Sequence, residues 1–169
     1  KHVPFNDAAA LEDAVSSATC AVMLEPIQGE GGVNIPSPGY LQEVREICDR
    51  HGLIMILDEV QVGMGRTGRL FAHEHFGVIP DIMTLAKALA GGAPIGTMLA
   101  KDKYAAAFVP GTHGSTFGGN PLATAVANAV LDVMLKPGFL AHVNAMAALL
   151  RSRLDVIVEK HARVFQEAR

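Results

Sequence analysis

Leu53-Ile54-Met55-Ile56-Leu57-Asp58-Glu59-Val60-Gln61 passes from five apolar residues to an acidic pair in one step. An apolar run of this length, preceded by Gly52 and closed by charge, reads as a strand buried in a parallel sheet. Open α/β sheets hold ligands beyond the carboxyl ends of their strands, so the acidic end lies where chemistry is expected. A second apolar run, Ile82-Met83-Thr84-Leu85-Ala86, ends in Lys87. The interval from Asp58 leaves room for a connection and a neighbouring strand, so a carboxylate and an amine can converge at one sheet edge. Upstream, Tyr40–His51 places Leu41, Val44, Ile47 and Cys48 on one helical face, and Gly52 stands where helices stop. A strand at Ala21–Glu25, this helix, and a strand at Leu53–Leu57 together predict a right-handed parallel crossover.

Outward from that unit, the pattern predicts a short helix over Ala8–Ser17 and a turn from Pro36 to Gly39. A glycine-rich loop follows Gln61, then a short segment at Leu70–Phe76, then strands at Ile82–Leu85 and Pro94–Ala100. Asn120-Pro121 opens a long alanine-rich helix to about Leu135, with asparagine as N-cap and proline in the first helical position. Pro137-Gly138 breaks it, and a second long helix runs from Phe139 to about Lys160. The predicted class is α/β, a mostly parallel sheet flanked by helices with a helical C-terminal segment.

Half of the 169 residues are hydrophobic and only 18% are charged, with a mean hydropathy of +0.27. That richness predicts apolar surface that meets another domain or subunit. The net charge of -3, with both signs mixed along the chain, gives no footprint for nucleic acid or an anionic membrane. Cys20 and Cys48 are too few for a disulfide framework. No apolar run reaches the length of a membrane span and no signal peptide opens the chain, so the expected compartment is the cytoplasm.

A carboxylate and a lysine at strand ends suit a cofactor that needs a fixed anion and a Schiff base, and pyridoxal phosphate is such a cofactor. The motifs are specific. Leu57-Asp58-Glu59-Val60-Gln61 with Gly63-Met64-Gly65-Arg66-Thr67-Gly68, Leu85-Ala86-Lys87-Ala88-Leu89, and Gly111-Thr112-His113-Gly114-Ser115-Thr116-Phe117-Gly118-Gly119-Asn120-Pro121 follow Glu25-Pro26-Ile27-Gln28-Gly29-Glu30-Gly31-Gly32 in order. The chain closely resembles the class III pyridoxal-phosphate aminotransferases, of fold type I, over nearly its whole length. Within that family it looks most like the acetylornithine and ornithine aminotransferases.

The resemblance implies a role for each matching residue. Lys87 is the Schiff-base lysine and proton carrier, Asp58 keeps the cofactor ring protonated, and Gln61 bonds the ring hydroxyl. Ser115 and Thr116 suit the phosphate, with Thr116 reaching the cofactor of the partner subunit in a homodimer. Glu30 resembles a glutamate that pairs with a C-terminal arginine and moves aside for one of two amino donors. Val62 stands where many relatives have threonine. The implied reaction moves the δ-amino group of N-acetylornithine to 2-oxoglutarate, as in arginine biosynthesis. Ornithine, succinylornithine, 4-aminobutyrate and succinyl-diaminopimelate remain alternative donors. Family chains are more than twice as long, so the sequence reads as a fragment, expected to be inactive alone. Residues 1–137 read as part of the cofactor-binding large domain, and 138–169 as a helical segment leading toward a C-terminal small domain.

Four other readings compete. Gly63-Met64-Gly65-Arg66-Thr67-Gly68 satisfies the dinucleotide pattern but lacks a long following helix and an acid at the right interval. His73-Glu74-His75 lacks metal-ligand spacing, because i and i+2 diverge on a helix. A nucleotide triphosphatase needs a phosphate loop with lysine, and Gly91-Gly92-Ala93-Pro94-Ile95-Gly96-Thr97 has none. A non-catalytic protein of the same fold remains the alternative outside enzymes.

Overall fold

In the computed structural model, which describes residues 1–169, the 53–61 run supplies β2, Ile54–Asp58. Leu53 is not part of it, because its amide donates to Cys48 O at 2.8 Å and closes the preceding helix. That helix is α2, Tyr40–His51, ended by Gly52 at φ 66. Before it come α1, Ala8–Ala14, and β1, Ala21–Leu24. After it come β3, Ile82–Leu85, and β4, Thr97–Ala100. A single-turn helix α3, Asp102–Ala105, precedes α4, Pro121–Met134, and α5, Phe139–Lys160.

The sheet order is β1-β2-β3-β4. β1 pairs β2 and β2 pairs β3 in parallel, with Leu24 opposite Leu57 and Asp58 opposite Thr84. β4 returns antiparallel to β3, so the expectation of a mostly parallel sheet holds with one reversed edge strand. β4 is shorter than predicted. Pro94 has no amide to give a ladder, and regular pairing starts with Thr97 opposite Leu85. α1 is also shorter, since Val15 is extended and Ser16 N donates to Thr19 Oγ1 at 3.0 Å. The segment after the glycine loop is a single 3-10 turn, Ala72–His75.

Alternation along β2 buries Met55 and Leu57 against Leu41, Val44, Ile47 and Cys48 of α2. Burial pushes the Cys48 thiol up to about 11, so it behaves as a small core hydrophobe. Met83 and Leu85 of β3 pack with Leu89, Ala127 and Met134, seating α4 on the other cluster. Asn120 caps α4 as predicted, its Oδ1 accepting from Ala123 N at 2.9 Å.

At the start of β3, Asp81 is buried and ties the layers together. Its carboxylate accepts from Met55 N, Arg45 Nη1 and Lys101 Nζ, each at 2.9 Å. This hub joins α2, β2 and the chain after β4. α5 buries no residue, and Met146, Leu149, Leu150, Val156 and Ile157 are exposed along it. No single helix is long and apolar enough to cross a membrane.

Candidate active site

Asp58 is the last residue of β2, half-buried. Its Oδ1 accepts from Val60 N at 2.9 Å and from Thr84 Oγ1 at 3.2 Å. Its Oδ2 takes no hydrogen bond within the chain and is not sealed from solvent. One oxygen fixes the carboxylate while the other stays open. Thr84 was not singled out in the sequence, although a hydroxyl inside Ile82-Met83-Thr84-Leu85-Ala86 was a usable signal. Its importance comes from register, which sets it directly opposite Asp58.

Glu59 turns inward, and only 1% of it is exposed. Its carboxylate accepts from Ala72 N at 2.6 Å and from His73 N and His73 Nδ1 at 2.8 Å. Adjacent acids thus take opposite tasks, because consecutive residues leaving a strand point to opposite sides. Glu59 clamps the 3-10 turn beneath the loop that carries Gln61. Glu59→Ala would leave these donors unsatisfied and is expected to cost about 3 kcal/mol of stability, with Glu59→Gln costing less. Urea unfolding measures both; parental stability in Glu59→Ala would show that the clamp contributes nothing.

Lys87 opens a 3-10 turn, Lys87–Ala90, closed by Gly91. Its φ of 45 is positive, a conformation side chains avoid unless the surroundings impose it, and such strain gathers at functional sites. Lys87 Nζ donates to Gln61 Oε1. The structure therefore brings Asp58, Gln61 and Lys87 to one edge, across the β2–β3 pair.

Ser115, Thr116 and Glu30 stand apart from that group. Ser115 and Thr116 are exposed in the loop before α4, and Ser115 Oγ accepts from Gly118 N at 3.0 Å. Ser115 lines a cleft of about 640 Å³ with Thr97, Met98 and His113, which Lys87 and Asp58 do not reach. Glu30 is exposed in a hairpin closed by the Gln28–Asn34 bridge. A cavity of about 680 Å³ between β1 and the N-terminal segment reaches Gln28 but is lined by none of these residues. The site is recognised by its chemistry rather than its volume.

The look-alike motifs have structural explanations. A Cβ at Gly65 would lie 2.8 Å from Met134 Cε and 3.2 Å from Leu140 Cδ2. Asn144 Nδ2 donates to Gly68 O at 3.0 Å. The glycine turn is where the α4–α5 corner docks. His73 Nδ1 bonds Glu59, whereas His75 Nε2 bonds Thr67, so the two imidazoles serve different partners.

The family described as aminotransferase class-III matches residues 2–169. This chain belongs to the class-III aminotransferases. It is 55% identical to acetylornithine aminotransferase 1 of Bradyrhizobium diazoefficiens, across 99% of this chain and 41% of that protein. Among solved structures, N-acetylornithine aminotransferase from Stenotrophomonas maltophilia K279a is 47% identical with a TM-score of 0.87, covering 100% of this chain and 44% of that one. Ornithine aminotransferase from Toxoplasma gondii, with partial occupancy of pyridoxal phosphate at its active site, is 44% identical with a TM-score of 0.85. It matches 90% of this class-III chain and 36% of its own. The aminotransferase chain described here thus spans about two fifths of the length of such relatives, and its α/β sheet is that of aminotransferase structures.

Proposed function

We propose that the protein carrying this chain is a pyridoxal-phosphate-dependent aminotransferase that transfers the δ-amino group of N-acetylornithine to 2-oxoglutarate. The observation that carries this reading is the convergence of Asp58, Gln61 and a strained Lys87 at one sheet edge. The donor set fits the cofactor. Asp58 Oδ2 is free to accept a ring N–H, while Oδ1 is already held by Val60 and Thr84. Gln61 Oε1 accepts from Lys87 Nζ and its Nε2 makes no hydrogen bond, leaving an amide N–H for a ring oxygen. Lys87 Nζ would hold the cofactor's carbonyl carbon.

When bound, pyridoxal phosphate supplies an electron-accepting ring that stabilises negative charge at the carbon bearing the substrate amine. The residues do the rest. Asp58 Oδ2 would accept the ring N–H and so keep that nitrogen protonated. Lys87 Nζ would be the base placed to take a proton from the substrate carbon and give it back. Gln61 holds Nζ in place between these tasks. Ser115 and Thr116 lie close ahead of the α4 N-terminus, where hydroxyls and backbone amides suit a phosphate. Thr116, exposed in the same loop, would serve the partner's cofactor in a homodimer, as the family resemblance implies. Glu30, exposed on its hairpin apart from that group, would sort the two amino donors, as the family resemblance implies.

Two measurements test the reading on the full-length enzyme. Asp58→Ala is expected to lower turnover about 10³-fold, the scale for losing one preorganised electrostatic partner; near-parental turnover would remove Asp58 from the mechanism. A panel of N-acetylornithine, ornithine, succinylornithine, succinyl-diaminopimelate and 4-aminobutyrate with 2-oxoglutarate is expected to rank N-acetylornithine first. The likeness to ornithine aminotransferases makes ornithine the second reading, and equal turnover of ornithine would install it.

A further inference from the structure

We propose that Gly29 is a positioning residue for Lys87, acting through the side chain of Gln61. The hairpin that holds Gly29 is fixed on both sides. Gln28 N donates to Asn34 O at 3.1 Å and Asn34 N donates back to Gln28 O at 2.9 Å. Asn34 Nδ2 donates to Gln28 Oε1 at 3.0 Å, and Gly29 N donates to Glu25 Oε2 at 2.9 Å. The backbone at Gly29 therefore has little room to yield.

Gln61 lies directly across that backbone. A Cβ at position 29 would stand 3.0 Å from Gln61 Cβ and 3.4 Å from Cδ, and would fall inside the van der Waals envelope of Cγ. Gly29 does not have a positive φ, so its backbone conformation would accept alanine. The requirement is for space. Gly32 in the same hairpin is the opposite case, with φ 115 and nothing nearer than 3.9 Å. Space at Gly29 sets where Gln61 can lie, and Gln61 Oε1 accepts the single side-chain hydrogen bond that Lys87 Nζ makes. The hairpin bearing Glu30 is thus joined mechanically to the Lys87 amine, although the two are far apart in sequence.

The inference concerns the resting position of Lys87 and uses the functional reading only for its catalytic consequence, so its test is run on the cofactor-free full-length protein. Pulse acylation read by peptide mass spectrometry across a pH series reports the Lys87 amine, with Lys103 as internal reference. Gly29→Ala is expected to raise Lys87 labelling about fivefold, the factor corresponding to one net hydrogen bond of about 1 kcal/mol. Lys103 should not change. Gly31→Ala, where a Cβ meets nothing nearer than 3.7 Å, should label as the parent does. Gln61→Ala should reproduce the rise, and adding Gly29→Ala to it should give no more. Should Gly29→Ala fail to fold, Gln61→Ala in the same chain should restore folding by removing Cγ. Parental labelling in a folded Gly29→Ala protein overturns the proposal, as do fully multiplicative effects or failure of Gln61→Ala to rescue. Borohydride trapping with pyridoxal phosphate separates the two readings: the expected labelling pattern without a pyridoxyl adduct on Lys87 sinks the cofactor assignment and leaves the positioning role intact.

Discussion

Lys87→Ala is expected to lower transamination by the full-length enzyme by about 10⁴-fold or more, because in the proposed mechanism one side chain would supply both the covalent attachment and the proton carrier. Lys87→Arg should fare little better, since a guanidinium stays protonated and cannot take a proton from the substrate carbon. The backbone makes a second, opposite prediction. At φ 45 a residue with a Cβ carries a conformational cost of about 1 kcal/mol that glycine does not. Lys87→Gly should therefore be as inactive as Lys87→Ala yet more stable than it by about that amount. Turnover and thermal unfolding on the same three variants measure both effects. Substantial activity in Lys87→Ala would end the assignment. Equal stability of the alanine and glycine variants would show that the left-handed conformation is not strained.

Asp81→Ala should produce a large loss of stability, about 3 kcal/mol, because the buried Met55 amide loses its acceptor while Arg45 is left with Asp49 alone. Arg45, whose Nε already has no partner, would lose its bond to Asp81, and Lys101 would lose its anchor. Burial by itself would raise the Asp81 pKa. The Met55 amide, Lys101 and Arg45 outweigh burial and hold it at about 2. Because this lies below the value for an unfolded aspartate, the stabilisation is complete above about pH 5 and is lost as pH falls toward 2. Its size is about 2 kcal/mol. Denaturant unfolding from pH 6 to pH 2 should show that decline in the parent and a flatter profile in Asp81→Asn. Parallel profiles would place the acid sensitivity elsewhere, with the Glu12 cluster on α1 the next group to examine, its carboxyl lowered by the His51 hydrogen bond.

Much of this site was legible in one dimension because its parts hang from strand ends. Asp58 and Lys87 each follow an apolar run, and a run of that kind can only be a buried strand whose last residue emerges at the sheet edge. The α2 face, the Gly52 stop and the Asn120 cap were readable for the same local reason: each depends on periodicity or on one residue's backbone chemistry. β4 was misjudged at its start, because its first residues pair with nothing until Thr97 reaches Leu85. The 3-10 turn at 72–75 takes its shape from Glu59, a carboxylate 13 residues before Ala72 in the chain. No local pattern encodes that.

What the sequence determined alone is therefore the α/β class, the family resemblance and the placing of Asp58 and Lys87 at one sheet edge. Tertiary structure decided which oxygen of Asp58 is held and which is open, because the holding hydroxyl of Thr84 arrives through strand register. It also decided that Glu59 faces the interior, that Asp81 ties α2, β2 and the chain after β4 together, and that Gly29 gives way to Gln61. These are contacts between residues distant in the chain, and they exist only once the hydrophobic cores on α2 and α4 have brought the strands and loops together.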